Sequence, residues 1–439
     1  MSVAWVFVVW CGGRYGRGVS RSAVEALSGR LTDHVSIGLL ADAVPRVVID
    51  DAVAEFGKGA KRADAKLPAH VMVYFAMAMA LFADEDYEEV LARLTGTLQD
   101  WGCWDAGWER PGSAGITQAR KRLGPDVVRG VFEQVAQPVA GMLTRGAWLA
   151  GKRMVSIDGF EWDVPDSGAN AEYFGYAGSG ANRSAFPKMR VVTLVESGSR
   201  AVLGAHAGPC GGKGSGEQSA ARELYHLLDE EMLLLADRNF YSFTDWCQAS
   251  ATGADLLWRL GDTIALPLVA KLGDGSYTSV VFASRTPAKV REQVLAAARL
   301  GQDLDQWHEL ARLVRVVEYD VPDRGIEGQR ELFCLLTTLL DARSAPAALL
   351  AAGYHERWEH EGANAQAKTV LRGPGKVMRS QSPDMVVQEL YGYLLTHYAL
   401  NSLICRAATE ADIDPDRVKF TNAVRVIRRR IEDPAAFSP

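Results

Sequence analysis

From about Ser22 to Trp148 apolar residues recur at three- and four-residue spacing, in Val24–Leu27, Tyr87–Leu94 and Val127–Met142. That spacing predicts amphipathic helices. Val71–Leu81 is apolar all round, and the run extended to Ala83 is thirteen residues, too short to span a bilayer and right for a buried helix. Pro68 stands where a first-turn proline belongs, and Gly124-Pro125 punctuates the last two helices. After Gly151 the pattern changes to alternation. Arg153–Trp162, Met189–Glu196 and Arg200–His206 predict three consecutive strands, with Ser197-Gly198-Ser199 turning between the last two. A Gly-rich loop over 208–216 leads into a helix from Glu217 to about Leu228, and Met232–Ala236 predicts a fourth, fully apolar strand.

Three strands, a helix and a parallel strand is the order of an RNase H-like core. Residues 252–343 then predict an insertion: Leu256–Arg259, Ile264–Val269, Tyr277–Phe282, Leu310–Val321 and Glu331–Thr338 as strands, with a charged helix near Ala288–Leu300. Helices return from Ala345, ending in an apolar one from Pro383 to about Ala408. The predicted fold class is α/β. A loose extension (1–21) and an all-helical domain (22–148) precede the RNase H-like core (149–251 and 344–410), which the β-rich insertion (252–343) interrupts. A basic tail (411–439) follows, where Arg417, Lys419, Arg425, Arg428, Arg429 and Arg430 have no acid among them.

The 439 residues are 48% hydrophobic and 23% charged, an ordinary globular composition that excludes disorder, collagen and a coiled-coil rod. A net charge of -6 supplies no general basic field, so any nucleic-acid contact must come from local patches. The six cysteines, Cys11, Cys103, Cys210, Cys247, Cys334 and Cys405, form no C-x-x-C pair, which argues against a disulfide framework and a structural zinc site. The apolar run Val3–Cys11 lacks the basic start and small-residue cleavage site of a secretory leader. The expectation is a cytoplasmic protein in a reducing compartment, with no membrane partner.

Gly115–Gly124 predicts a short helix with Arg120, Lys121 and Arg122 in succession. A recognition helix for a DNA groove and a solvated basic face both stand, the second favoured. The loop Gly208–Gly214 has the wrong spacing for a phosphate-binding G-x-x-x-x-G-K-[ST] motif and is taken as a connection. Asp158 on the first strand and Asp237 at the end of the fourth would meet at one sheet end if those strands are parallel neighbours. Each alone is equally a strand-end turn acid. Tyr354, Arg357, Glu361 and Lys368 are more specific: at 100° per residue they fall at about +20°, -40°, 0° and -20°, one face of one helix. The bland alternative is an exposed charged face with i,i+4 pairing of Arg357 and Glu361. His355 and His360 are five apart, so H-E-x-x-H is not formed, and no G-x-S-x-G occurs.

Asp158-Gly159, the stretch Ala236-Asp237-Arg238-Asn239-Phe240-Tyr241-Ser242 and the Tyr354-Arg357-Glu361-Lys368 helix resemble the DDE transposases of bacterial insertion sequences, the insertion-sequence-four family. The resemblance runs from about residue 30 to 410. A β-rich insertion between second Asp and Glu is a feature of that group and accounts for the 124 positions from Asp237 to Glu361. The resemblance implies that Asp158, Asp237 and Glu361 are the catalytic, metal-binding triad, and that Tyr354, Arg357 and Lys368 contact the transposon end. It also implies a base-stacking tryptophan in the insertion, for which Trp258 and Trp307 are the candidates. The sequence departs from the family in Trp358-Glu359-His360, where an apolar residue commonly precedes the Glu, and in Gly362.

Three carboxylates suit two Mg2+ ions, Mn2+ substituting, which activate the attacking and leaving oxygens of an in-line phosphodiester displacement. Arg372, Lys376 and Arg379 extend the basic track beyond Lys368. The resulting expectation is a transposase that cuts transposon ends and joins the 3'-OH to target DNA, with double-stranded DNA as partner. By resemblance it works as a homodimer in a synaptic complex and passes through a hairpin. A metal-dependent nuclease without strand transfer and an inert DNA-binding descendant are the alternatives.

Overall fold

The computed structural model describes residues 43–59, 67–100, 109–212, 214–261, 264, 266–322 and 330–430. The expected extension over 1–21, the helical stretch Val24–Leu27 and tail residues 431–439 lie outside these.

Ten strands form one mixed sheet: β1 (Trp148–Leu149), β2 (Lys152–Asp163), β3 (Lys188–Glu196), β4 (Val202–Pro209), β5 (Met232–Ala236), β6 (Asp255–Arg259), β7 (Ala270–Lys271), β8 (Tyr277–Phe282), β9 (Ala311–Pro322) and β10 (Arg330–Thr337). The order across the sheet is β4-β3-β2-β5-β6-β10-β9-β8-β7, with β1 also on β2. β2, β3 and β4 are an antiparallel meander, whereas β5 runs parallel to β2, and β6 parallel to β5. A fully apolar β5 is what a strand covered on both faces requires.

The segment expected as a β-rich insertion, 252–343, adds its strands to the same sheet. Its first strand, β6, pairs in parallel with β5, and β10, β9, β8 and β7 continue outward from it. The strand expected over Ile264–Val269 is replaced by the short β7, which pairs with β8.

Twelve α-helices are described: α1 (Arg46–Glu55), α2 (Ala69–Leu81), α3 (Tyr87–Asp100), α4 (Ser113–Val135), α5 (Gly168–Phe174), α6 (Glu217–Arg222), α7 (Phe243–Ser250), α8 (Ala288–Arg299), α9 (Ala347–Tyr354), α10 (Trp358–Ala365), α11 (Pro383–Glu410) and α12 (Phe420–Arg430). α4 bends at Gly124, whose φ of 75° breaks the helix just before Pro125. α2 buries nearly every residue, because it lies between α4 and α11, and α11 in turn covers the sheet through Tyr391 and Tyr393. The N-terminal helices and the sheet therefore share one continuous apolar core. The basic tail begins with α12, which buries Phe420, Ala423, Val424 and Ile427 and leaves Arg425 and Arg429 outside. Among the described residues, no helix is long and apolar enough to cross a membrane.

Candidate active site and nucleic-acid interface

Parallel pairing of β2 with β5 runs in register from Arg153 opposite Met232 to Ile157 opposite Ala236. One step further, Asp158 and Asp237 stand at the same level, where β5 ends and β2 continues. Asp237 caps the 3-10 turn that stops β5, its Oδ1 accepting from the Arg238 amide at 2.7 Å. Asp158 Oδ1 accepts from the Gly159 amide at 2.8 Å. Burial pushes the Asp158 carboxyl up to about 6; the Gly159 amide and Arg357 work against this, while Glu217 and Glu361 add to it.

The third acid arrives on a helical rod made of α9, a 3-10 turn (His355–Arg357), α10 and a π-helical turn (Gln366–Leu371). Tyr354 is buried, and its hydroxyl donates to the Ala236 carbonyl at 3.2 Å, which pins the rod to the last residue of β5. Three residues on, the Arg357 guanidinium lies between acids. Its Nη1 is 3.7 Å from Asp158 Oδ2, and Nη2 donates to Glu361 Oε1 at 3.3 Å. Burial opposes the charge, but Tyr354, Asp237, Asp158 and Glu361 outweigh it and raise the pKa. Glu361 itself is exposed.

Arg357 thus contacts Asp158 and Glu361 and feels the charge of Asp237. Among the described residues no three His, Cys, Asp or Glu side chains stand as a ready-made metal cage. A fourth carboxylate was not singled out from sequence: Glu217, the first residue of α6. It sits against Gly159 so closely that a Cβ there would meet its Oε1 at 2.8 Å. The available signal was an acid directly after a Gly-rich loop, paired with a glycine beside Asp158.

The expected DNA contacts divide. Tyr354 and Arg357 face inward, to the Ala236 carbonyl and to the acids, and are corrected to members of the site's frame. Arg120 is also corrected. It is buried and donates to Gln388 Oε1 at 2.9 Å, Ser380 Oγ at 3.0 Å, the Met385 carbonyl at 3.3 Å and Tyr87 Oη at 2.5 Å. Arg379 donates to the Glu85 and Met79 carbonyls at 2.6 and 2.7 Å, and Lys376 pairs with Asp84, so both tie their loop to the α2–α3 turn. Arg122 donates to the Leu67 carbonyl at 2.8 Å, while Lys121 is exposed.

Lys368 is half-buried, its ammonium 5.8 Å from the Phe160 ring. Burial first, then Arg372 and Lys188, push its pKa down. Arg372 is buried 5.2 Å from the Trp162 ring, with Nε and Nη1 unpaired. Of the two tryptophans considered for base stacking, Trp258 is fully buried edge-on to Trp246 and is corrected to a core residue. Trp307 is partly buried against the small core around Val280 and Val294.

A family model described as the insertion element 4 transposase N-terminal domain matches residues 34–133. The transposase InsG for insertion sequence element IS4 of Escherichia coli (strain K12) is 25% identical over 405 residues, spanning 91% of this chain and 84% of that protein. The putative transposase InsZ of the same organism is 27% identical over 197 residues, 44% of this chain and 62% of that protein. Among solved structures, a cryo-EM structure of the piggyBac transposase synaptic complex with hairpin DNA aligns with a TM-score of 0.45 and 10% identity, covering 91% of this chain and 80% of that one.

Proposed function

This chain belongs to the insertion element 4 transposase family, and from that premise we propose that it cuts the ends of its own element and joins the freed 3'-OH to target DNA. The observation that carries this reading is the β2–β5 register, which levels Asp158 with Asp237 beneath the rod that carries Glu361. The strand order β4-β3-β2-β5-β6, with β3 alone reversed within the run β3-β2-β5-β6, supports an RNase H-like core.

Asp158, Asp237 and Glu361 offer only hard carboxylate oxygens, the donor type Mg2+ takes, and Arg357 already holds positive charge between two of them. Bound Mg2+ would supply Lewis-acid activation of the attacking and leaving oxygens. The protein's own part is placement. β2 and β5 fix two acids, Tyr354 and Arg357 hold the rod against them, and Lys368 is left to meet a DNA phosphate beside the site. Two protomers acting on paired ends is part of the same proposal.

The test is cleavage of a DNA fragment carrying the gene's own flanking sequences, with Mg2+ or Mn2+, by wild type and Asp237→Asn. Metal-dependent cutting at the element boundary that disappears in the variant is expected. Specific binding without cutting by either protein would overturn the reading in favour of an inert DNA-binding descendant.

A further inference from the structure

His360 precedes Glu361 and is fully buried on the side of the rod that meets the sheet. Its Nδ1 is 2.9 Å from Ser156 Oγ on β2, and its Nε2 is 2.8 Å from Thr193 Oγ1 on β3. Both hydroxyls are buried too. Ser156 is two residues before Asp158, hence on the same face of β2. Thr193 is the residue directly opposite Asp158 in the β2–β3 pairing. One imidazole, next in sequence to Glu361, is thus bonded to the two positions that flank Asp158 along and across the sheet.

The burial of three polar side chains is tolerable only because each finds a partner. A neutral imidazole offers one donor and one acceptor nitrogen. A hydroxyl can serve either nitrogen, so the pairing is satisfied in both tautomers. Packing alone does not need this arrangement: an apolar side chain would fill the space, and apolar contact is non-directional, leaving a helix free to slide or rotate on a sheet. Two hydrogen bonds from a rigid ring to two different strands remove both freedoms. Tyr354 supplies a third anchor six residues earlier, on β5. The rod is therefore tied to β2, β3 and β5 around the segment that bears Arg357 and Glu361.

We propose that His360 is a positioning residue, a two-point clasp that sets the register of the Glu361 helix against Asp158. The inference rests on the reading that Asp158 and Glu361 act in one site. Loss of the clasp removes no acid but lets their separation wander, and a misplacement of about 1 Å costs on the order of 100-fold in rate.

The experiment compares wild type, Thr193→Val, Thr193→Ser and the triple variant Ser156→Ala/Thr193→Val/His360→Leu, in which no buried polar partner is stranded. Thermal unfolding without metal, Mn2+ affinity by calorimetry, DNA-end affinity, and kcat and KM for cleavage are measured. In the triple variant Mn2+ affinity and kcat are expected to fall about 10- to 100-fold, the range typical of lost outer-shell partners. Unfolding temperature, end affinity and KM stay near wild type, and Thr193→Ser, which keeps the hydroxyl, behaves as wild type. A triple variant that binds Mn2+ and cuts normally overturns the clasp. Should the triple variant not fold, equal Mn2+ affinity and kcat in Thr193→Val and Thr193→Ser overturn it as well. Glu361→Gln separates this from the larger reading. If wild type and Glu361→Gln bind Mn2+ equally, the site assignment falls and the clasp with it; if they differ while the triple variant matches wild type, only the clasp falls.

Discussion

Arg120 donates to Gln388, Ser380, Tyr87 and the Met385 carbonyl from an enclosed position, so removing it leaves several acceptors cut off from water. Arg120→Ala is expected to lower stability by about 3 kcal/mol, as lost charge-assisted bonds and unpaired buried groups do. Chemical denaturation measures this. In protein that remains folded, DNA-end affinity and its salt dependence should be unchanged. Lys368 presents the opposite case. Its ammonium lies over an aromatic ring, with Arg372 and Lys188 as cationic neighbours that disfavour its charge. An approaching phosphate relieves that crowding. Lys368→Ala should therefore leave folding nearly unchanged and reduce the slope of log affinity against log salt by about one. Equal slopes for variant and wild type would remove Lys368 from the interface.

At the scale of elements, the rod that bears Arg357 and Glu361 is held at its start by a turn from the far side of the sheet. Asp274, between β7 and β8, accepts from the Ala347 amide at 2.7 Å, the first residue of α9, and from the fully buried Arg315 at 2.5 Å. Burial acts to raise the Asp274 carboxyl, but the Ser276 hydroxyl, the Ala347 and Ser276 amides and Arg315 outweigh it and hold it at about 2. Because the folded value lies below the unfolded one of about 3.9, this stabilisation is complete above about pH 4 and is lost as pH falls toward 2. Asp274→Ala should destabilise by about 3 kcal/mol at pH 7, since Arg315 loses its charge partner while buried. The gap from wild type should narrow between pH 4 and pH 2 in denaturation series; a constant gap would mean that the ion pair contributes little.

The same elements show what could be read in advance. The apolar α2, the alternation of β2 and β3 and the one-sided Tyr354–Lys368 spacing are local patterns, and local periodicity reports them directly. The union of β6 through β10 with β2 and β5 is a choice of pairing partner, which alternation does not encode. Arg120 misled for a related reason: its partner Gln388 is 268 residues away, and nothing in a run of three cations marks the one that turns inward. In the sequence His360 reads as half of a failed zinc motif and as a departure from the apolar residue common before the Glu, because its two hydroxyl partners lie on strands more than 150 positions earlier.

At the scale of the whole molecule, the helical N-terminal segment and the sheet are joined through α11, and a glycine of α11 lies directly against α2. A Cβ at Gly392 would come within 2.5 Å of the Ala76 carbonyl oxygen and 2.8 Å of its carbon. Both belong to the backbone of α2, which cannot swing aside as a side chain can. In an isolated helix Gly→Ala stabilises by about 1 kcal/mol. Here the clash dominates, since overpacking a well-filled contact costs about 1–3 kcal/mol and the helices must move apart to admit the methyl group. Gly392→Ala should therefore destabilise the protein, and the loss should appear in the sheet as much as in the helices, because one core connects them. Neither α2 nor α11 contains a tryptophan, whereas Trp162, Trp246 and Trp258 are buried in or against the sheet. Tryptophan fluorescence and far-ultraviolet circular dichroism should then lose their folded signals in one coincident transition, shifted down together in the variant. A fluorescence midpoint that stays at the wild-type temperature while the helical signal shifts would show that the two parts unfold as separate units.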